Sequence, residues 1–382
     1  MRIPDALREF RHRGDSLLFI LCMLASLYGL TLIYSATRYA PSLHSAVWKQ
    51  ACALLIGIAA FLLLNFIDVE SLLEQYWKIL PFFNFGLLLL LVPFGNDNGT
   101  GNKSWLSIPG TPFNLQPAEI IKLTFVLLLA LQFSRLRDRG VSRPFSILQT
   151  AGHTLLFCGF IWVVSGDMGM ILVYLFIFLI MAWAAGVRFF WFAAGLAGAA
   201  GTGVLLWPRL PSYVQGRMLV VLNHNLDPLG KGFQQTRSLL SIGSGQILGQ
   251  GYLHGLQTQS TASSSLPARH TDFIFSVAGE ELGLWGCLLI LLLLGAIVLR
   301  CLQIARTAHS PLCCWIAVGY GGMLAVQTLL NVGMCLFTAP VVGLTLPFFS
   351  YGGSSLVTLF VAMGILSGIW MRSRPGWLRD RG

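Results

Sequence analysis

Few residues in this chain are equipped for acid–base chemistry, and most of those stand where they are costly. Of 382 residues only 10% are Asp, Glu, Lys or Arg, and several fall within or at the mouths of long apolar runs, where an ionisable side chain marks a function or a buried pair. Asp272 stands in His270-Thr271-Asp272-Phe273-Ile274-Phe275, where a polar stretch meets an apolar one. A carboxylate there suits general-base work on a weak nucleophile, and it reads equally well as the cap of the helix that follows. If that helix begins at Asp272, Gly279 and Gly283 lie within about 20° of it and admit a second helix at close range. Glu280 would then lie about 80° around and about 12 Å deeper, lining the same cavity or, with Glu281, orienting the helix. Glu119 and Lys122 are three apart and share a helix face, as a structural pair or as part of a site. Asp167, in Ser165-Gly166-Asp167-Met168-Gly169, is either a site residue or a helix cap.

The elements that hold these residues must be membrane spans. With 55% hydrophobic residues the chain is too apolar for a soluble domain, and apolar runs recur at the length of about 20 residues that crosses a bilayer. Ten are read, at about 15–36, 46–66, 77–94, 115–134, 147–165, 168–187, 189–207, 272–300, 312–337 and 346–371. The first is too long and too poor in cleavage-site residues for a cleavable signal peptide. The expectation is an all-α polytopic membrane protein, a single membrane domain over 1–382, with one long extracytoplasmic loop at 208–271 between spans seven and eight. Arginine-dense short loops, such as Ser134-Arg135-Leu136-Arg137-Asp138-Arg139, place both termini in the cytoplasm. The net charge of +10 is therefore mostly topology, and arginines scattered over tails and loops argue against a nucleic-acid partner. The eight cysteines, among them Cys52, Cys158, Cys313 and Cys314, lie in or beside apolar runs without metal-ligand spacing and read as packing residues.

The long loop is rich in Gly, Ser and Gln and carries Arg209, Arg217, Lys231, Arg237 and Arg269 against the single acid Asp227. A cationic loop of that length in a compact protein is usually functional. Its apolar stretches at Leu219–Leu222 and Leu239–Leu248 predict short interfacial helices. Gly243, Gly245, Gly249, Gly251 and Gly255 are either sites of close backbone approach or plain turns.

A series of segments then matches a known pattern in order: Tyr34-Ser35-Ala36, Trp48-Lys49-Gln50, Gly101-Asn102-Lys103-Ser104-Trp105, Gln116-Pro117-Ala118-Glu119, Asp227-Pro228-Leu229-Gly230-Lys231-Gly232, Ser241-Ile242-Gly243-Ser244-Gly245, His270-Thr271-Asp272-Phe273, Gly279-Glu280-Glu281-Leu282-Gly283 and Pro347-Phe348-Phe349-Ser350-Tyr351-Gly352-Gly353. Over nearly its full length the chain resembles the SEDS family, the RodA and FtsW proteins of bacterial elongation and division. Gly249-Gln250-Gly251 leans toward the RodA side. Departures from the family pattern are Ser165-Gly166 ahead of Asp167, Ala118 in place of a serine, and Ala268 in place of a glutamate.

The resemblance implies a peptidoglycan glycosyltransferase in the bacterial cytoplasmic membrane that polymerises lipid II at the outer face, with Asp272 as base. A sugar hydroxyl needs such a base, whereas a pyrophosphate leaves as an anion without a proton, so a single catalytic carboxylate suffices. Lys49, Arg217 and Lys231 are candidates for the pyrophosphates, with Lys122 extending the cluster, Glu119 orienting it, and Asp167 nearby in the substrate site. No closed metal site is visible; a magnesium or manganese ion shared by Asp272 and a pyrophosphate is chemically reasonable. The implied partners are a class B penicillin-binding protein and other elongation or division proteins. The competing reading is a flippase or transporter for the lipid-linked precursor, with the intramembrane charges marking its path.

Overall fold

The computed structural model describes residues 14–40, 43–96, 103–107, 114–209, 212–224, 226–262 and 264–373. The chain is built of helices. In order they are α1 (Ser16–Thr37), α2 (Ser45–Asn65), α3 (Val69–Tyr76), α4 (Ile79–Leu89), α5 (Leu91–Phe94), α6 (Pro117–Leu136), α7 (Pro144–Ser165), α8 (Met168–Ala184), α9 (Phe189–Leu206), α10 (Ser212–Leu222), α11 (Phe233–Gly245), α12 (Ile274–Thr307), α13 (Pro311–Cys335) and α14 (Gly353–Ser373). Strands β1 (Gly95–Asn96), β2 (Trp105–Ser107) and β3 (Asn114–Leu115) form one small antiparallel sheet, in which Leu106 pairs with Gly95 and Leu115.

Among the described residues, eight helices are long and apolar enough to cross a membrane: α1, α2, α6, α7, α9 with its extension to Arg209, α12, α13 and α14. A ninth span is a bent pair, α3 with α4–α5, turned by 83°. Pro81 lies in the first turn of α4, where its missing N–H breaks no helical bond, and its ring excludes the carbonyl a continuous helix would place four residues back. The 17-residue α8 is the remaining apolar helix. Each apolar run expected from the sequence thus falls on a helix.

Two helix starts differ from expectation, and both matter for the site. Helix α12 begins at Ile274, so Asp272 precedes it, and Gly283 breaks it with φ 66° and ψ −156°. The angular placement of Gly279, Gly283 and Glu280 relative to Asp272 along one straight helix is therefore corrected. Residues 346–352 are likewise turns, and α14 starts only at Gly353.

The long connection between α9 and α12 folds into α10 and α11 and then a series of turns docked on α12. Gly245 sits so close to α12 that a Cβ there would overlap the carbonyl oxygen of Gly279. At the break, the N–H groups of Gln250 and Gly251 bond to the carbonyls of Glu280 and Glu281, and the N–H of Leu284 bonds to Gln246 O. The side chains of Glu280 and Glu281 complete the joint. Glu280 accepts from the N–H groups of Gln257 and Thr258 at 2.6 and 2.9 Å; Glu281 accepts from Ser35 Oγ and Gln259 Nε2. Both acids orient the loop rather than line a cavity, because their acceptor sites are filled by protein donors.

The two faces of the helix bundle can be told apart by packing. Asp15, which caps α1, pairs with Arg300 near the end of α12 at 2.8 Å, and its N–H donates to Ser367 Oγ near the end of α14. At the other end of α1, Ser35 meets Glu281. Both described chain ends therefore lie on the face opposite Asp272.

Candidate active site

Asp272 is held by its backbone. Its carbonyl accepts from Asn331 Nδ2 on α13 at 2.8 Å, and the same amide donates to Leu344 O at 2.6 Å. Asn331 thereby ties the start of α12 to segment 338–352. That segment is fixed from its other side by Gln50 on α2, which donates to Ser350 O at 3.1 Å and accepts from the N–H of Gly352 at 3.0 Å. Ser350 Oγ in turn donates to Thr271 O, and the N–H of Tyr351 to His270 O. Helix α13 and segment 338–352, itself fixed by α2, thus hold residues 270–272, and the half-buried carboxyl projects from a rigid base.

The electrostatics of this carboxyl are mixed. Burial, then repulsion from Asp167, raise its pKa from 3.8 to about 6, against the opposing pull of a Thr271 hydrogen bond and of Arg217. Asp167 caps α8, accepting from the N–H of Met170 at 3.1 Å, and also accepts from Ser104 Oγ and Gln116 Nε2. Its own pKa is raised by burial, with Glu119 adding repulsion. Asp167 is thus the α8 cap, close enough to Asp272 to raise its pKa. The α8 N-terminus is pressed against segment 338–352: a Cβ on Gly169 would overlap Val342 O. Gly343, with φ 70°, carries this segment past Asp272, and a Cβ there would lie 3.9 Å from Asp272 Oδ2.

The cations divide. Arg217, on α10, donates to Val341 O at 3.1 Å and is near enough to Asp272 to lower its pKa. Lys231 is exposed, lies across Gly216 beside Arg217, and donates to Ser212 O at 3.1 Å. Lys49 is half-exposed just past the first turn of α2, adjacent to Gln50, and is not among the charges that shift either carboxylate. Lys122 and Glu119 pair at 2.8 Å and are both buried, so the geometry favours the structural reading of this pair. Arg269, expected to contribute to a cationic surface, is buried: its guanidinium donates to Leu266 O, Gln257 O, Thr258 O and Ser260 O and stacks 3.7 Å over Tyr39. His270 has its pKa lowered to about 4 by burial and by Arg269, so it is neutral beside Asp272.

A half-buried carboxylate at the membrane boundary, with an arginine near it and a lysine beside that arginine, suits deprotonation of a hydroxyl next to an anionic leaving group. Known proteins resemble this chain in sequence and fold. Residues 15–374 match the model of the FtsW, RodA and SpoVE cell cycle proteins. The chain belongs to this family. It is 33% identical over 359 residues to the probable peptidoglycan glycosyltransferase FtsW of Haemophilus influenzae, covering 92% of this chain and 89% of that one. Its fold superposes with a TM-score of 0.78 on a chain of a solved peptidoglycan synthase complex that coordinates polymerization and crosslinking, at 29% identity over 94% of this chain and 98% of the other. Crystalline rod shape determining protein RodA of Thermus thermophilus matches with a TM-score of 0.69, at 26% identity over 95% of this chain and 98% of that one. Relatives on both the FtsW and RodA sides are therefore similar to it.

Within this SEDS fold, the residues that the sequence did not assign are those that position the base. Gln50 and Ser350 stand inside recognisable segments, yet their spacing gives no sign that they touch. Asn331 had a usable signal, an amide buried in an apolar run, which must find partners.

Proposed function

We propose that this chain polymerises lipid II into glycan strands at the outer face of the bacterial cytoplasmic membrane. The observation that carries the reading is Asp272: a rigidly held, half-buried carboxylate with a pKa of about 6, close enough to Asp167 and Arg217 to be shifted by both. The 4-hydroxyl of one disaccharide attacks the anomeric carbon of another. Asp272 takes the hydroxyl proton, the new glycosidic bond forms, and the bond to the pyrophosphate breaks with inversion, the electron pair leaving on the pyrophosphate oxygen. Arg217 and Lys231 neutralise the leaving pyrophosphate, Lys231 exchanging Ser212 O for a phosphate oxygen, while Lys49 approaches from the α2 side.

Asp167 repels Asp272 but has both its oxygens engaged by Met170, Ser104 and Gln116, so a magnesium or manganese ion would be shared by Asp272 and a pyrophosphate. When bound, such an ion would add positive charge for the pyrophosphates. The solved complex similar in fold supports a class B penicillin-binding protein as partner, which would crosslink the strands made here. The arginine-rich short loops support cytoplasmic termini, which puts Asp272 outside.

The test is polymerisation of labelled lipid II by the purified protein with its transpeptidase partner. Asp272→Asn should lower the rate by about 10²–10⁴-fold while the protein stays monodisperse. Undiminished polymer from that variant would overturn the assignment, and precursor movement across proteoliposomes without polymer would favour transport.

A further inference from the structure

The far end of α12 carries a second cluster of chemically able side chains, on the face opposite Asp272. Glu70 on α3, His309 in the turn after α12 and Cys313 in the first turn of α13 converge there. Glu70 Oε2 lies 2.7 Å from His309 Nε2 and 3.4 Å from Cys313 Sγ, and that sulfur is 3.8 Å from Nε2. A carboxylate, an imidazole and a thiol are the three ligand types that zinc takes. Tetrahedral coordination with its usual bond lengths sets ligand atoms about 3.3–3.6 Å apart. Both separations involving sulfur are close to that span. The Nε2–Oε2 distance is that of a hydrogen bond and would open by about 0.6 Å around an ion.

The hydrogen bonding behind His309 points the same way. Ser373 Oγ donates its hydrogen to Ile369 O at 2.7 Å, so it can only accept from the His309 backbone N–H and from Nδ1, each at 3.2 Å. A ring proton therefore sits on Nδ1, and Nε2 faces a carboxylate oxygen 2.7 Å away. Two lone pairs at that distance require positive charge between them, a proton or a metal ion. A histidine whose far nitrogen is held by a fixed partner is the usual arrangement behind a metal ligand. Cys313 as thiolate and Glu70 as carboxylate would balance a divalent ion's two charges. The Glu70 and His309 side chains are 22% and 35% exposed, which leaves a route in from solvent.

We propose that Glu70, His309 and Cys313 bind a zinc ion, with water in the fourth position, and that the ion staples the bent α3 to the α12–α13 turn. Binding displaces the Cys313 thiol proton and any proton shared by His309 and Glu70 to solvent. The sequence signal is the His309-x-x-x-Cys313 spacing, which a reading of the cysteines as packing residues passes over.

The test uses the full-length protein in detergent, stripped with chelator, reloaded with zinc or cobalt(II) and freed of excess. Wild type should retain about one equivalent of zinc per chain and, with cobalt, show a thiolate-to-metal charge-transfer band. Cys313→Ser and His309→Gln should each reduce retained zinc at least tenfold and remove the band; Cys314→Ser should change neither. Ser373→Ala should weaken retention about tenfold. Retention by wild type below about a tenth of an equivalent, or undiminished retention by both ligand variants, would overturn the proposal. So would a band that disappears only with Cys314→Ser.

Discussion

Asp272 links the physics of one side chain to a measurable pH profile. A base must be deprotonated to act, so with its pKa near 6 the polymerisation rate should rise as pH passes upward through about 6 and level off above it. The neighbours give the sign of two further shifts. Asp167→Asn removes a like charge and should move the inflection down; Arg217→Gln removes an opposite charge and should move it up, each by up to about one unit. Opposite shifts would mean that the inflection belongs to another group. The same shift bears on stability. The folded pKa is raised above the ordinary 3.8, so the folded state holds the proton more tightly, and this contribution is full below pH 3.8 and lost as pH rises through about 6. Asp272→Asn should therefore raise the unfolding midpoint at neutral pH, and the gain should vanish near pH 4. Asp272 was legible in the sequence as a candidate, balanced against a helix cap until the family resemblance favoured it, whereas its pKa was not, since burial and the closeness of Asp167 arise only from long-range packing.

At the level of elements, the joint between the long connection and α12 depends on backbone approaching backbone. Gly283 has φ 66° with ψ −156°, a region essentially restricted to glycine, and a Cβ there would sit 2.4 Å from Gly249 N and 2.5 Å from Ile247 O. Gly243, in the same run of spaced glycines, has open space around its Cβ position. Gly283→Ala should therefore lower the thermal midpoint sharply and abolish polymerisation, while Gly243→Ala should be tolerated. Equal effects would refute this account of the joint. Asn331→Leu probes the other support of the site. It strands the carbonyl of Leu344, at a cost of about 1–3 kcal/mol for a buried one, leaves that of Asp272 only the weak Cys335 thiol donor, and should reduce both midpoint and turnover. The sequence showed the glycine spacing and the polar residues and favoured close approach, but left simple turns open. Only the pairing of Gln250 and Gly251 with Glu280 and Glu281 decides it, and that pairing exists because α12 breaks where a straight apolar run predicts continuity.

The whole molecule separates its two proposed sites along one helix: Asp272 precedes α12, and the Glu70–His309–Cys313 cluster follows it. The apolar runs were legible because bilayer thickness sets their length, but the bend between α3 and α4 and the turns before α14 were not, since hydropathy is blind to breaks inside an apolar stretch. Sidedness can be measured at the two ends of the same helix. Leu248 is 80% exposed in the turns docked beside the break, and Thr307 is exposed at the last residue of α12. The native cysteines are buried or half-buried among the described residues, giving a low background for labelling. With cytoplasmic termini, Leu248→Cys in intact spheroplasts should react with a membrane-impermeant maleimide, and Thr307→Cys should react only after permeabilisation. The reverse pattern would place Asp272 on the cytoplasmic side, where the same carboxylate would face precursor before export. Polymerisation at the outer surface would then be excluded however well the site chemistry fits.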